Sequence, residues 1–274
     1  MGANPFFLTD DSVPERPVRN GDSATFVRSV ARALKVISGF GADAPAQTVA
    51  QVAARNDLDR ATARRLLLTL EELGYLRRDG RQFSLTPLVL ELGVAYMSSL
   101  PFWSVAYDVL KELADALEVF CLIVASDSSY DHVWVVSSVR PSNPPMFVEF
   151  PDIGRRAPTH SVAPGIILLG GLTGQDLNRA LLASTASDSN ASVPALRERV
   201  ARDRRQGWSL RVAPDQNFSE IAVPLVDVQG RIIAGMSVLS PLSRISAEEA
   251  VRQYLPRIKQ AAEDINRLVG YRAP

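Results

Sequence analysis

The stretch that decides the fold is Ala46–Leu85, AQTVAQVAARNDLDRATARRLLLTLEELGYLRRDGRQFSL. A first helix begins after Thr48, a residue type that caps helix N-termini, and Gln51 three positions later completes a capping box. The apolar residues that follow at helical spacing are Val49, Val52 and Ala53. The pattern therefore predicts a short amphipathic helix.

A second helix is expected after a turn at Asn56-Asp57, with Leu58 as a buried anchor and Asp59 as the N-cap. Its predicted apolar side consists of Ala63, Leu66, Leu70 and Leu73, and its other side carries Arg60, Arg64 and Thr69, with Thr62 and Arg65 at the border. An exposed helix with cationic and small hydroxyl side chains in its first turns is suited to binding in the major groove of DNA. Arg reads guanine with two donors, and Thr contacts a thymine methyl or a phosphate.

A hairpin should follow this helix. Gly74 ends the helix, a strand runs through Tyr75–Arg77, and Asp79-Gly80 favours a tight turn before a return strand at Arg81–Leu85. Three arginines gather near the turn: Arg77, Arg78 and Arg81. A charged side chain on a protruding turn does not contribute to a hydrophobic core, but it can contact a DNA phosphate or enter a minor groove.

Helix, turn, helix and hairpin in this order predict a winged helix-turn-helix that binds DNA. The residues expected to contact or position DNA are Thr48, Asp59, Arg60, Thr62, Arg64, Arg65, Arg77, Arg78 and Arg81. The alternative is a helical hairpin with a solvated charged face. The interval Arg55–Arg81 holds seven arginines against five acids, and this modest excess indicates that tight binding needs a dimer or more.

Two flanking helices complete the expected head. Phe26–Ser38 is predicted to be helical and to pack behind the second helix through Val30, Ala33, Leu34 and Ile37. Thr86 before Pro87 starts another helix, Leu88–Ser99, which ends at Pro101 and should link two domains.

From Phe102 onward helices and strands are interleaved. The predicted helices are 105–118, 165–172, 176–183, 194–206 and 246–268, and the predicted strands are 120–125, 132–140, 220–226 and 232–239, with 146–150 following the Pro144-Pro145 break. Strands that return by hairpins indicate an α+β domain with an antiparallel sheet.

Composition limits the class of protein. The 274 residues suffice for two cores, and a formal net charge of zero argues against a nonspecific polycation. Cys121 is the only cysteine, and no apolar run approaches the ~20 residues of a membrane span. Residues 1–22 lack the pattern of a signal peptide and read as a flexible tail whose Phe6-Phe7-Leu8 could dock on a partner. We expect a cytoplasmic protein.

Three segments carry a resemblance to a known family: SATFVRSVARALKVISGF, DRATARRLLLTLEELGY and LTPLVLELGVAYMSSLPFW. They resemble the IclR family of bacterial transcription regulators, and within it the branch that controls aromatic-acid and β-ketoadipate pathways (PcaR, PcaU and PobR types). The resemblance covers nearly everything after Asp22. It implies a GAF-like effector-binding domain, a role for the 88–99 helix in a dimer, and regulation of aromatic catabolism.

The signature region of the effector domain is RRAPTHSVAPGIILL, Arg155–Leu169, with SEIAVPL and GMSVLSP as its partners. A loop that runs into a helix N-terminus offers oriented N–H groups to a carboxylate. The residues expected to line an effector pocket are Trp134, Met146, His160, Ser161, Val162, Ala163, Gly165, Glu220, Ser237 and Leu239, of which Glu220, Ser237 and Leu239 follow from the family's pattern. The expected ligand is a small carboxylate, an aromatic acid or a ring-cleavage product.

Two positions depart from the family's usual residues: Pro164, and Ile166 where Lys or Arg is common. Glu220 is itself an anion, so a second acid beside it requires protonation or pairing with Arg140, Arg156 or Arg211. This favours a ligand other than the branch's usual diacid.

Two alternatives remain for the C-terminal half. It could be an interaction module without ligand. It could also be a hydrolytic enzyme, although Ser237 in GMSVLSP lacks the second glycine of a nucleophile elbow, and no metal-ligand or nucleotide-binding motif is present. We expect no enzyme, cofactor or metal.

The expected organisation is a tail at 1–22, the DNA-binding domain at 23–86, a linker helix at 87–101 and an effector and oligomerisation domain at 102–274. The expected partners are double-stranded operator DNA, the effector, a second copy in a dimer or dimer of dimers, and RNA polymerase as a further candidate.

Overall fold

The structure is a computed structural model that describes residues 25–144, 151–186, 188 and 191–272. The predictions for the tail, for the 146–150 segment and for Met146 as a pocket residue lie outside the described residues. The chain divides between Ser98 and Ser99 into two compact units.

The N-terminal unit consists of α1 (Arg28–Ser38), β1 (Ala46–Thr48), α2 (Val49–Arg55), α3 (Arg60–Glu72), β2 (Leu76–Asp79), β3 (Gln82–Leu85), a 3-10 turn (Pro87–Val89) and α4 (Leu90–Ser99). The three strands pair antiparallel in the order β1-β3-β2. The hairpin is the predicted wing, and β1 is an additional strand on its outer side. β1 was missed because a three-residue strand gives almost no periodic signal.

The predicted helix starts are found in the structure. Thr48 and Gln51 form a reciprocal capping box at α2, and the Asp59 carboxylate accepts the backbone N–H of Thr62 at 2.8 Å at α3. The Thr86 hydroxyl accepts from the N–H of Leu88 and also donates to the carbonyl of Gly74. Each cap satisfies donors that a helix N-terminus leaves without an intrahelical partner.

The predicted core faces of α1 and α3 were partly wrong. α1 buries Val36 and leaves Val30 and Leu34 more than half exposed. α3 buries Leu67 completely, whereas Leu73 is 58% exposed. Consecutive leucines differ by only 100° around a helix, so tertiary packing decides which of them faces the core.

In its described residues, the C-terminal unit has five α-helices and six strands. The helices are α5 (Trp103–Leu117), α6 (Ala163–Gly170), α7 (Gly174–Thr185), α8 (Val193–Gln206) and α9 (Ala247–Arg272), and the strands are β4 (Phe120–Ser126), β5 (His132–Val139), β6 (Arg156–Pro158), β7 (Ser209–Ala213), β8 (Phe218–Val226) and β9 (Ile232–Pro241).

One antiparallel sheet runs through this unit in the order β6-β5-β4-β9-β8-β7. Helix α6 packs on one face, against β4, β8 and β9, while α5 and α9 pack on each other and on the opposite face. The predicted α+β class with an antiparallel sheet is confirmed. The edge strands β6 and β7 were not predicted, and they frame the α6 face.

Helix α4 has no buried residue, and its apolar side chains Leu90, Leu92, Val94 and Tyr96 are exposed. Across the described residues no single helix is long and apolar enough to cross a membrane. A bent pair within the described residues, Pro87–Ser99 with Trp103–Leu117, reaches the required length and composition together.

Candidate DNA-binding surface and effector site

Helix α3 presents an exposed cationic surface at its N-terminal half. Arg60, Arg64 and Arg65 are exposed, and Thr62 is half-buried beside them. The opposite side packs into the N-terminal core through Ala63, Leu67 and Leu70. A helix held on one side by apolar contacts and lined with guanidinium groups on the other is suited to insertion into a major groove.

Thr48 and Asp59 are engaged in helix capping. The Thr48 hydroxyl bonds the Gln51 side chain at 2.9 Å. Hydrogen bonds from Thr62 lower the pKa of the exposed Asp59 carboxyl. Their polar groups therefore fix the ends of α2 and α3, which sets the angle at which α3 is presented.

The wing carries its three arginines in different environments. Arg77 donates from Nε to the Ser84 hydroxyl at 3.1 Å, and Arg78 donates to the carbonyl of Gly80 at 2.9 Å while its guanidinium lies over the Phe83 ring. Arg81 is exposed in the turn itself. These contacts aim the cations along the hairpin tip.

The predicted turn centre was one residue too early. Asp79 pairs with Gln82, so the two central residues are Gly80 and Arg81 rather than Asp79-Gly80. Gly80 has φ +58°, a left-handed conformation that glycine adopts at little cost.

On the sheet face of the C-terminal unit, the N-terminus of α6 is held very close to the preceding loop. A Cβ atom added to Gly165 would lie 2.0 Å from the carbonyl oxygen of Thr159, and one added to Gly235 would lie 2.7 Å from Pro164. Only glycine fits at either position. The two glycines therefore set the distance of α6 from the Thr159 loop and from β9.

The donors at the start of α6 are occupied by a side chain of this protein. The backbone N–H of Ala163 donates to Oε2 of Glu220 at 2.9 Å, and the hydroxyl of Ser237 donates to Oε1 at 3.0 Å. Glu220 and Ser237 are both fully buried. Three residues predicted to line the effector pocket, Ala163, Glu220 and Ser237, therefore lie together. The Glu220 carboxyl group occupies the position that was expected for a ligand carboxylate.

Burial raises the pKa of Glu220, and the nearby cations Arg211 and Arg199, together with the two hydrogen bonds, partly offset this effect. Arg211 lies directly across the β7–β8 ladder from Glu220, and its guanidinium lies over the Phe218 ring at 5.2 Å. Burial also lowers the pKa of both arginines. Of the three arginines considered as partners, Arg211 is the neighbour of Glu220, whereas Arg140 lies near Asp152 and Arg156 pairs with Trp134 in the sheet.

His160 and Ser161 lie in the 3-10 turn Thr159–Ser161, just before α6. The His160 ring lies between the Ser184 carbonyl and the Asp188 carboxylate, with Nε2 3.0 Å from Asp188. The Ser161 hydroxyl donates to the carbonyl of Pro158 at 2.8 Å. These contacts tie the loop to the end of α7 and to itself. Val162 is the buried N-cap residue of α6.

Strand register separates Trp134 from the rest of the predicted pocket. Leu239 lies opposite Glu220 and therefore shares its face. Trp134 lies opposite Ala125, whereas Ser237 lies opposite Leu122, and these two β4 residues point to opposite faces of the sheet. The assignment of Trp134 to this pocket was therefore wrong. The reason is that β5 has buried residues on both faces and its register with β4 shifts between Ile123 and Val124, so alternation gave no indication of its orientation.

Pro164 and Ile166, which were expected to depart from the family's usual residues, both have structural roles. Pro164 lies in the first turn of α6, where a missing N–H is tolerated. Ile166 is 1% exposed and belongs to a core cluster formed by α6, α7 and α8. Ile166 therefore contributes to core packing.

Sequence reasoning passed over Arg199 and Gly235, and it considered Arg211 only as one of three partners. Arg211 could not be placed because β7 was not predicted, and Arg199 lies within the predicted 194–206 helix, where nothing in the sequence distinguishes it from the neighbouring arginines. Gly235 had a weak signal, since a glycine inside a strand often marks a close approach.

Other reactive groups give no sign of a metal or redox centre among the described residues. No three His, Cys, Asp or Glu side chains are arranged to hold a metal ion there. Cys121 is buried in β4, and burial raises the pKa of its thiol.

The fold defines the class: a winged helix-turn-helix unit together with an antiparallel sheet unit is the organisation of a DNA-binding transcriptional regulator. Residues 29–80 match the IclR helix-turn-helix domain, and residues 94–267 match the C-terminal region of the bacterial transcriptional regulator IclR. The chain belongs to the IclR family of DNA-binding transcriptional regulators.

Similar proteins span both units. The Pca regulon regulatory protein of Pseudomonas putida is 31% identical over 88% of this chain and 83% of its own length. The p-hydroxybenzoate hydroxylase transcriptional activator of Acinetobacter baylyi is 29% identical over 89% of this chain and 92% of its own. The fold matches an IclR homologue from Microbacterium hydrocarbonoxydans, solved with 4-hydroxybenzoate, with a TM-score of 0.72 at 20% identity over 88% of this chain and 98% of that one.

Proposed function

We propose that the C-terminal unit binds a small carboxylate effector, an aromatic acid or a product of aromatic ring cleavage, and that binding changes the affinity of the N-terminal unit for operator DNA. The observation that carries the proposal is the similarity over both units to two regulators named for a Pca regulon and for p-hydroxybenzoate hydroxylase. The homologue solved with 4-hydroxybenzoate shares the fold. No catalytic activity is proposed.

The effector site lies on the α6 face of the sheet, between the signature loop and strands β8 and β9. A helix N-terminus, a buried hydroxyl and two partly desolvated cations are groups that recognise small polar ligands. The residues proposed to line the site are His160, Ser161, Val162, Ala163, Gly165, Glu220, Ser237 and Leu239.

Operator DNA is proposed to contact α3 and the wing. Arg60, Arg64 and Arg65 would reach base edges and phosphates, and Arg77, Arg78 and Arg81 would reach the flanking backbone or minor groove. Thr48, Asp59 and Thr62 would position these elements. A homodimer, or a pair of dimers, would set two recognition helices about 34 Å apart or a multiple of it. RNA polymerase is a further candidate partner.

Effector and operator would be linked through two placements of the DNA-binding units. If the effector favours one placement by about 1–3 kcal/mol, operator affinity changes by roughly 5- to 150-fold. The same coupling acts in reverse, so operator DNA changes effector affinity by the same factor.

A ligand-free interaction module is the second candidate, and one observation favours it. The Ala163 N–H and the Ser237 hydroxyl already bond to Glu220, so the fold satisfies these donors without a ligand.

The test is the thermal stability of the full-length protein against a panel of aromatic acids and ring-cleavage dicarboxylates. A ligand present at 100 times its Kd adds about 2.7 kcal/mol to the free energy of unfolding, which is visible as a shift in Tm. A shift with members of this chemical class supports the effector site. No shift with any acid in the panel supports the interaction module.

A further inference from the structure

We infer that a cleft along helix α8 is a second ligand site, which binds a small molecule carrying a doubly charged oxyanion, either a phosphate monoester or a dicarboxylate. The cleft has a volume of about 440 Å³, within the range of roughly 300–1,000 Å³ that is usual for small-molecule sites. The described residues that line it are Ala195, Glu198, Arg199, Ala201, Arg202 and Arg205. None of the residues proposed to line the effector site is among them.

Helical spacing places the lining residues on one side of α8. Arg199, Arg202 and Arg205 follow one another at intervals of three residues, so successive guanidinium groups lie less than one helical turn apart along the axis. The short side chains of Ala195 and Ala201 leave room between the longer ones. Three cations therefore border one concave surface.

A buried acid holds two of these arginines in place. Asp203 is 1% exposed and accepts from the Ser209 hydroxyl at 2.7 Å. Its Oδ1 accepts from Nε of Arg202 at 2.9 Å, and its Oδ2 lies 3.8 Å from Nε of Arg199. Because both side chains are already restrained through Nε, less conformational entropy is lost when they bind an anion.

The terminal amino groups of the same arginines remain available as donors. Nη2 of Arg199 donates to the carbonyl of Leu210 at 3.2 Å, whereas Nη1 of Arg199 and both Nη groups of Arg202 have no acceptor among the described residues. Arg205 likewise forms no hydrogen bond or ion pair within the part of the chain that the structure describes. Guanidinium groups bond phosphate and carboxylate oxygens through such N–H donors.

The charges around Arg199 also favour an anion. Burial lowers the pKa of Arg199, the Asp203 carboxylate opposes this effect, and the guanidinium groups of Arg202 and Arg211 lower the pKa further. A ligand with two negative charges would offset this repulsion between cations. Glu198 adds an acceptor to the cleft, so a ligand that carries a hydroxyl beside its anionic group matches the lining best.

The test is titration calorimetry of the full-length protein with glycerol 3-phosphate, malate and lactate at constant ionic strength. All three carry a hydroxyl, and lactate has a single negative charge, so it controls for the second charge. Because a hydrogen bond to a charged group contributes a factor of about ten or more, we expect at least one of the two dianions to bind at least about tenfold tighter than lactate. Binding of glycerol 3-phosphate alone identifies the ligand as a phosphate ester, and binding of malate alone identifies it as a dicarboxylate.

Two substitutions locate the binding. Arg202→Gln and Arg205→Gln each remove one guanidinium group from the cleft, and each should weaken binding of the dianion by about tenfold. Arg205→Gln breaks no contact among the described residues, so it keeps the test decisive if Arg202→Gln, which also releases Asp203, folds poorly. Arg204→Gln, an exposed change on the same helix but outside the cleft, is the matched control and should keep the wild-type affinity.

Absence of binding by both dianions would overturn the inference. Wild-type affinity in both Arg202→Gln and Arg205→Gln would also overturn it, and so would an equal loss in Arg204→Gln, because the anion would then bind elsewhere or respond only to net charge. The proposed function is decided separately. The Tm shift produced by an aromatic acid should be the same in Arg205→Gln as in the wild-type protein, whatever the outcome for the dianions.

Discussion

The backbone N–H of Ala163 donates to the carboxylate of Glu220 at 2.9 Å, so a residue of strand β8 satisfies a donor at the N-terminus of helix α6. A helix leaves its first N–H groups without intrahelical partners and favours negative charge at that end. Together with the close approach at Gly165 and Gly235, this bond holds α6 on the sheet, and it places an acid at a donor of the helix N-terminus.

Glu220 should make stability depend on pH. Burial raises its pKa, so the folded state holds the proton more tightly than the unfolded state does. Its contribution to stability is therefore greatest below the unfolded pKa of about 4.3 and is lost as pH rises through the folded pKa. We expect Glu220→Gln to flatten the fall in the free energy of unfolding over this window, as measured by denaturant titration at a series of pH values. Parallel curves for the two proteins would contradict the assignment.

Gly165→Ala should destabilise the C-terminal unit. The new Cβ would overlap the Thr159 carbonyl, so the loop or the helix must move, at a cost of about 1–3 kcal/mol or more. Gly170→Ala, in the same helix, is the control, because its added Cβ would be 3.7 Å from Arg204, an ordinary contact. The two Tm values should differ by several degrees. Equal Tm values would show that the approach of α6 to the loop is not tight.

Arg64→Ala should weaken operator binding by about 1–3 kcal/mol if Arg64 contacts a guanine, and it should relax specificity at one position in each half-site. Arg64 is exposed on α3, so the change should leave Tm nearly unaltered. Fluorescence anisotropy with the operator and with single-base variants measures both effects. Arg257→Ala, an exposed change on α9, controls for loss of charge. Wild-type affinity in Arg64→Ala would remove the residue from the proposed interface.

Arg81→Ala should act differently from Arg64→Ala. Arg81 lies in the turn of the wing, where it is exposed and positioned to contact phosphate. Its removal should weaken binding to all sequences alike and lower the slope of log affinity against log salt by about one unit for each phosphate that Arg81 neutralises. The measurement is binding to operator and to unrelated DNA at several salt concentrations. A decrease in affinity confined to the operator would indicate base reading instead.

Local chemistry in the sequence was enough to predict the caps, the wing and the antiparallel sheet, because each is signalled by residues close in the chain. Thr48 with Gln51 and Asp59 with Thr62 are contacts of this kind. The core face of α3 and the two edge strands were missed, since runs of leucine and very short strands carry little periodic information.

The site was harder to predict for a related reason. Glu220 meets Ala163 from 57 residues away and Ser237 from 17 residues away, so its role as the occupant of the α6 donors depends on register and packing. The sequence identified these three residues as candidates but not which group would accept from which. Trp134 was misplaced because only the register of β4 with β5 decides its face.

The most direct test of the account is operator affinity measured with and without a ligand that stabilises the full-length protein. We expect a saturating ligand to change the operator Kd by roughly 5- to 150-fold, and operator DNA to change the ligand Kd by the same factor. An operator Kd that stays the same when the ligand is bound would contradict the claim that the C-terminal unit controls DNA binding through its effector.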